Sequence, residues 1–244
     1  MNPTKTAHTG RTIMFAELQK VMDFAIGNDN YLVALNQNVI NKKTNSGIKN
    51  TTNYLTKLYN FNVAYPPFQA FKYFWQIVED SDKPIITFLY AIGNDYLLAE
   101  SIPVVVSTKP GDKVTVEKME ENIESYYPQR YSENTRKSMA QNLASSWKQA
   151  GFITGKIKNI RTQPVIGYKV VAFAFFMAYL NGLRGDFILT SNWVKALSLS
   201  DQIVRELAIE AAKMDLLQYQ YAGNITSISF NNLINKLEIN GFEN

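Results

Sequence analysis

The sequence predicts a mainly helical protein with small β-hairpins, built around helix-turn-helix and winged-helix elements. Three observations predict this. Apolar residues recur at three- and four-residue spacing through most of the chain, the period of a helix with one buried face. Proline and glycine fall where such helices should begin and end, as at Pro66-Pro67, Lys83-Pro84, Gly27 and Gly151. The order helix, turn, helix, hairpin occurs twice, over 116–162 and 186–230, and this is the order of a winged helix.

Taken in chain order, Phe15, Leu18, Val21, Met22 and Ala25 share one face of a helix expected over 15–26. A short helix is expected over 31–40, then the polar turn NKKTNSG at 41–47. Ile48, Thr52, Leu55, Leu58 and Tyr59 mark the buried stripe of the next helix and leave Lys49, Asn50, Asn53, Thr56 and Lys57 wet. Helices are expected over 68–78, 85–93 and 95–102. Their aromatic residues (Phe68, Phe71, Tyr73, Phe74, Trp75, Phe88, Tyr90) are spaced as a core rather than as a base-stacking surface. STKPGD at 107–112 is the expected boundary between an N-terminal helical domain, 1–107, and a C-terminal one, 108–244. The second half then reads as an acidic amphipathic helix over 116–126, a long helix over 133–150 and a hairpin over 152–162. A buried helix over 165–183, helices over 186–197 and 201–214, and a hairpin from strands 216–221 and 225–230 follow.

Composition excludes several classes of chemistry. The chain has 244 residues and no cysteine, which removes disulfides, thiolate metal sites and thiol nucleophiles, and suits a reducing compartment. The opening MNPTKTAHTG lacks the apolar centre of a secretory signal. The longest apolar run, 170–180, is about half the roughly 20 residues of a spanning helix. A cytoplasmic protein without a membrane partner is therefore expected. There is no GxxxxGK[ST] loop, no HExxH, and no lysine with Asp or Glu two positions before it. The single histidine, His8, stands in a Thr/Gly-rich leader expected to be loose, so a Ser-His-Asp triad is not expected. Glu117, Glu120, Glu121 and Glu124 have the spacing of a solvated helix face, although such a run can also hold a divalent ion. The chain therefore reads as a non-enzyme with no catalytic residue, metal or cofactor, an atypical nuclease being the competing enzyme reading.

Charge is unevenly spread. Net charge is +4. Residues 37–60 carry Lys42, Lys43, Lys49 and Lys57 and no acid. Residues 130–170 carry Arg130, Arg136, Lys137, Lys148, Lys156, Lys158, Arg161 and Lys169 against Glu133 alone. Two basic segments on an otherwise acidic chain form a polyanion footprint. On the helix over 133–150, Met139, Leu143, Trp147 and Ala150 share a face to be buried. Asn134, Lys137, Ser138, Gln141, Asn142, Ser145 and Lys148 share the other, which has no acid and no large apolar group. Amides, hydroxyls and ammoniums donate to phosphate oxygens, and amides also read adenine edges. The hairpin that follows adds Lys156, Lys158 and Arg161 as grips on a neighbouring phosphate. The first basic segment contributes Lys42, Lys43, Thr44, Ser46, Lys49 and Asn53, at a helix N-terminus suited either to a phosphate or to a plain capping turn. Solvated helix faces are the bland alternative for both segments.

Three stretches stand out: Asn38-Val39-Ile40 through Lys43-Thr44 and Ser46 into Tyr54-Leu55 and Leu58-Tyr59; Pro67-Phe68-Gln69-Ala70-Phe71 to Phe74-Trp75, with Phe88-Leu89-Tyr90-Ala91 and Asp95-Tyr96-Leu97-Leu98; and Ser132, Thr135-Arg136 and Gln141 to Trp147 with Gly151. Together they resemble the BrxA-like family of bacterial BREX phage-defence proteins. The resemblance implies a NusB-like helical protein with helix-turn-helix character that binds double-stranded DNA, supports phage restriction beside other defence proteins, and uses no cofactor. The chain departs from the pattern by its second helix-hairpin unit. An RNA-binding, antitermination-like protein and a protein-binding scaffold are the alternatives.

Overall fold

The computed structural model describes residues 6–239 apart from 157, 223 and 224. It is mainly helical, with two small antiparallel hairpins. The first half holds α1 (Phe15–Ala25), α2 (Tyr31–Asn36), α3 (Asn45–Tyr59), α4 (Pro66–Ile77), α5 (Lys83–Ile92), α6 (Tyr96–Glu100) and α7 (Ile102–Val106). The second holds α8 (Val116–Tyr126), α9 (Glu133–Gln149), β1 (Ile153–Thr154), β2 (Ile160–Arg161), α10 (Tyr168–Leu180), α11 (Asp186–Leu189), α12 (Asn192–Ala196), α13 (Asp201–Lys213), β3 (Gln218–Ala222), β4 (Ile225–Ser229) and α14 (Asn231–Lys236).

The centre is α10, buried from Val170 to Leu180 and packed by α4, α5, α12 and α13. A helix apolar on every side must sit inside, because it has no face to offer water. Phe173 meets Phe74 at 5.2 Å and Phe71 at 6.2 Å between ring centroids, and Phe71 meets Tyr90 at 4.7 Å. Offset and tilted pairs at these distances add attraction beyond area burial. The aromatic helices are therefore core, and one hydrophobic cluster draws on residues from both sides of 107.

Two expected elements differ and one is added. The helix over 95–102 is two helices, broken at Ser101, whose hydroxyl donates to Leu98 O and accepts from Trp147 Nε1. The helix over 186–197 is also two, because Ser191 caps α12 by accepting from the Val194 amide. The short α14 was not expected; three asparagines and a lysine in six residues gave it no clear apolar period.

Residues 111–114 run beside β2 as a short extra edge. Gly111 N donates to Arg161 O, Arg161 N to Asp112 O and Val114 N to Asn159 O, each at 2.8 Å. Chain order here is thus helix (α6–α7), edge segment, helix (α8), helix (α9), hairpin (β1–β2).

Segment 6–14 is a strap laid between α3 and α9. His8 O accepts from Asn142 Nδ2, Thr12 Oγ1 accepts from Gln149 Nε2, and Tyr59 OH donates to Ile13 O. A side chain at Gly10 would meet the Tyr54 hydroxyl, so the strap could keep this close approach to α3 only if the Tyr54 side chain shifted.

Candidate nucleic-acid interface

The long helix α9 begins with Ser132, whose hydroxyl accepts from the Thr135 amide, and Glu133 adds an acid to the first turn. It ends in a Schellman turn: Phe152 N reaches Trp147 O, Gly151 N reaches Lys148 O, and Gly151 has φ 84°. Met139, Ala140, Leu143, Ala144, Ser146 and Trp147 are buried, which fixes the helix's rotation. Phe88 and Phe152 hold Trp147 at 4.4 and 5.3 Å between centroids.

That rotation leaves Asn134, Lys137, Ser138 and Gln141 exposed, with Ser145 and Lys148 half-buried on the same face. Ser138 turns its hydroxyl to Asn134 O, an internal bond that leaves the hydroxyl oxygen open as an acceptor. Asn142 is a correction: its amide is committed to His8 O, so it anchors the strap. Lys156 and Lys158, in the β1–β2 turn, are exposed. Among the described residues no carboxylate lies within ion-pair distance of Lys137, Lys148, Lys156 or Lys158.

Arg161 is a second correction. It is 1% exposed and makes no phosphate-facing surface. Its Nε donates to Val105 O at 3.1 Å, its guanidinium reaches Phe152 O, Thr162 O and the Gln163 amide oxygen, and it lies over the Phe152 ring. Carbonyl dipoles stand in for a counter-ion, and the side chain ties α7 to the hairpin.

The first basic segment is altered more. Lys42 is paired with Glu17 at 2.8 Å; burial pushes the Glu17 carboxyl up, but the Lys42 contact, a backbone hydrogen bond and the charge of Lys20 outweigh it and hold the carboxyl below its ordinary range. Thr44 caps α3 by accepting from the Gly47 amide, so the capping-turn alternative is the one observed. Ser46 accepts from Asn50 Nδ2. Lys43, Lys49 and Asn53 are exposed. Thr51 takes the buried place expected for Thr52.

His8 overturns the expectation of a loose leader. It is fully buried, with Nδ1 2.9 Å from Asp95 Oδ2 and Nε2 2.8 Å from Ser146 Oγ. Asp95 also accepts from Thr6 Oγ1, Ala7 N and Leu98 N. Burial pushes its carboxyl up, but the His8 ring and the two amides outweigh that and hold it below the usual range. This is the residue set of a hydrolytic triad in a place no substrate reaches. Ser146 is 0% exposed, donates to Asn142 O and accepts from Ile13 N. Its role is to bolt the strap to α9.

Two arginines outside the expected set lie beside α9. Arg130 sits in the α8–α9 turn and Arg11 on the strap, both exposed. The tyrosines on either side of Arg130 in YYPQRY were the available signal; Arg11 was hidden by the loose-leader reading. Among the described residues no group of three or more His, Cys, Asp or Glu is placed to hold a metal, and no helix is long and apolar enough to cross a membrane. No family model, curated protein or solved structure matches the chain.

Proposed function

We propose that the chain is a non-catalytic binder of double-stranded DNA that grips chiefly the phosphate backbone. In this reading residues 96–162 act as a winged helix, α9 is the groove-facing helix, and the turn carrying Lys156 and Lys158 is the wing. The observation that carries the reading is the exposed, carboxylate-free face of α9 (Asn134, Lys137, Ser138, Gln141) next in sequence to a hairpin with two unpaired lysines. A face of donors without acids suits phosphate oxygens and lacks the repulsion that would exclude them. The place of this activity in bacterial phage defence, and a NusB-like fold, rest on the family resemblance alone.

A second reading, protein docking, is favoured at the other helix-hairpin unit. There α13 exposes Asp201, Glu206 and Glu210 together with Ile203 and Ile209, and Phe187, Tyr221 and Ile225 are also exposed. An acidic, apolar face repels DNA and suits a protein partner.

The test is binding to duplex DNA against A-form RNA between 50 and 200 mM salt. With six to ten phosphates contacted, affinity for duplex should fall roughly 10³–10⁵-fold over that range. Lys137→Glu and Lys156→Glu should each weaken binding by roughly tenfold or more, whereas Glu121→Ala should leave it unchanged. A flat salt response would sink the reading, and preference for RNA would transfer it to the antitermination-like alternative.

A further inference from the structure

The sequence holds six arginines. Arg136 and Arg205 are paired with Glu124 and Asp186, and Arg161 is buried. Arg184 stacks over Tyr179 and gives one nitrogen to the Tyr179 and Leu183 carbonyls, far along the chain beyond α10. Arg11 and Arg130 are different. Both are exposed, both are seated on tyrosine, and neither has a carboxylate partner among the described residues; Arg130 stands in the turn before α9 and Arg11 on the strap between α3 and α9.

Arg130 occupies a corner between two rings. Its guanidinium carbon lies 5.2 Å from the Tyr127 centroid and 5.3 Å from that of Tyr131, and the rings meet at 73°. The rings are themselves fixed. Tyr127 OH donates to Glu100 at 2.6 Å, and Tyr131 OH shares a hydrogen bond with Tyr96 OH at 3.0 Å. Arg11 lies 5.4 Å over the Tyr54 ring and gives one donor to Gly10 O. Its strap neighbours His8 and Thr12 are bonded to Asn142 and Gln149 of α9, while its own guanidinium is turned to Tyr54 on α3.

An aromatic face restrains a guanidinium without consuming its in-plane donors, and those donors are what match a phosphate bidentately. A surface lysine has no such restraint and loses more entropy on binding. We propose that Arg11 and Arg130 are pre-positioned phosphate clamps, one on the strap between α3 and α9 and one in the turn that precedes α9. The proposal rests on the duplex-DNA reading above and adds Arg11, which lies outside both basic segments, and Arg130, which lies at the edge of the second but outside the site residues expected from it.

The experiment is fluorescence anisotropy on one labelled duplex from 50 to 200 mM salt. It compares the unaltered protein with Arg11→Gln, Arg130→Gln, the double variant, Arg130→Lys and Arg184→Gln. Each of the first two should lower the slope of log affinity against log salt by about 0.9, and affinity by roughly tenfold. The double variant should lose about twice that slope. Arg130→Lys should keep the slope and lose part of the affinity, because the charge stays and the flat stacked fork does not. Arg184→Gln is the control for an exposed, tyrosine-stacked arginine elsewhere and should behave like the unaltered protein. If the unaltered protein binds with a steep slope and Arg11→Gln and Arg130→Gln match it, the clamps are wrong and the DNA reading stands. If the unaltered protein shows no salt-sensitive binding, the DNA reading fails and takes the clamps with it.

Discussion

Replacing His8 with alanine is expected to remove about 3–5 kcal/mol of folding stability and to lower the melting temperature by roughly 10 °C. The imidazole is the link between Asp95 on α6 and Ser146 on α9, and all three side chains are buried. Its loss leaves a dry carboxylate without its largest partner and opens a void the size of a ring. Thr6, Ala7 and Leu98 still reach Asp95, which limits the damage. The pH dependence follows in sign. The Asp95 carboxyl is held below its ordinary value in the folded state, so its contribution is present above an unfolded value of about 3.9. That contribution is lost as the pH falls through the lower, folded value. Thermal melts of the two proteins should therefore differ most near neutrality and converge in strong acid. A change under about 1 °C at neutral pH would show that the strap is held by something else.

Arg161→Met is expected to cost about 3 kcal/mol or more, although the substitution keeps an apolar stem of similar reach. The guanidinium satisfies Val105 O, Phe152 O, Thr162 O and the Gln163 side chain from inside the fold. Methionine supplies no donor, so those carbonyls stay dry and unpaired. Arg161→Lys should rescue little, since one ammonium cannot span acceptors arranged for a planar fork. Melting temperature separates this account from direct DNA contact. A phosphate-contacting arginine would lose affinity on replacement and leave the melt unmoved; that result would return Arg161 to the binding surface.

The helices were legible because burial imposes a period, and α1, α4, α8, α9, α10 and α13 fall close to their expected spans. Gly151 was read correctly because a left-handed C-terminal turn selects glycine almost on its own. What the sequence hid was long-range polar pairing. Nothing local in Thr6, Ala7 and His8 indicates a carboxylate 87 residues away or a serine 138 residues away. The same blindness misassigned Arg161, Asn142 and Lys42. Each is a polar residue in a polar-looking segment, and its partner lies on another element. Lys43, Lys49, Lys137, Lys156 and Lys158 are exposed, where a charged side chain needs no partner on another element.

The bolt between residues 8 and 146 also sets an order of events during synthesis. A ribosome adding roughly 5–20 residues per second needs roughly 7–30 s to travel from the histidine to the serine. Through that interval the strap's polar groups are waiting for a helix that does not yet exist, and the aromatic surfaces of α3 to α5 have emerged without their cover. The nascent chain is therefore exposed to aggregation and proteolysis until translation has passed α9 and α10, and substitutions that slow the strap's closure should lower the yield of folded protein even where they spare the finished fold.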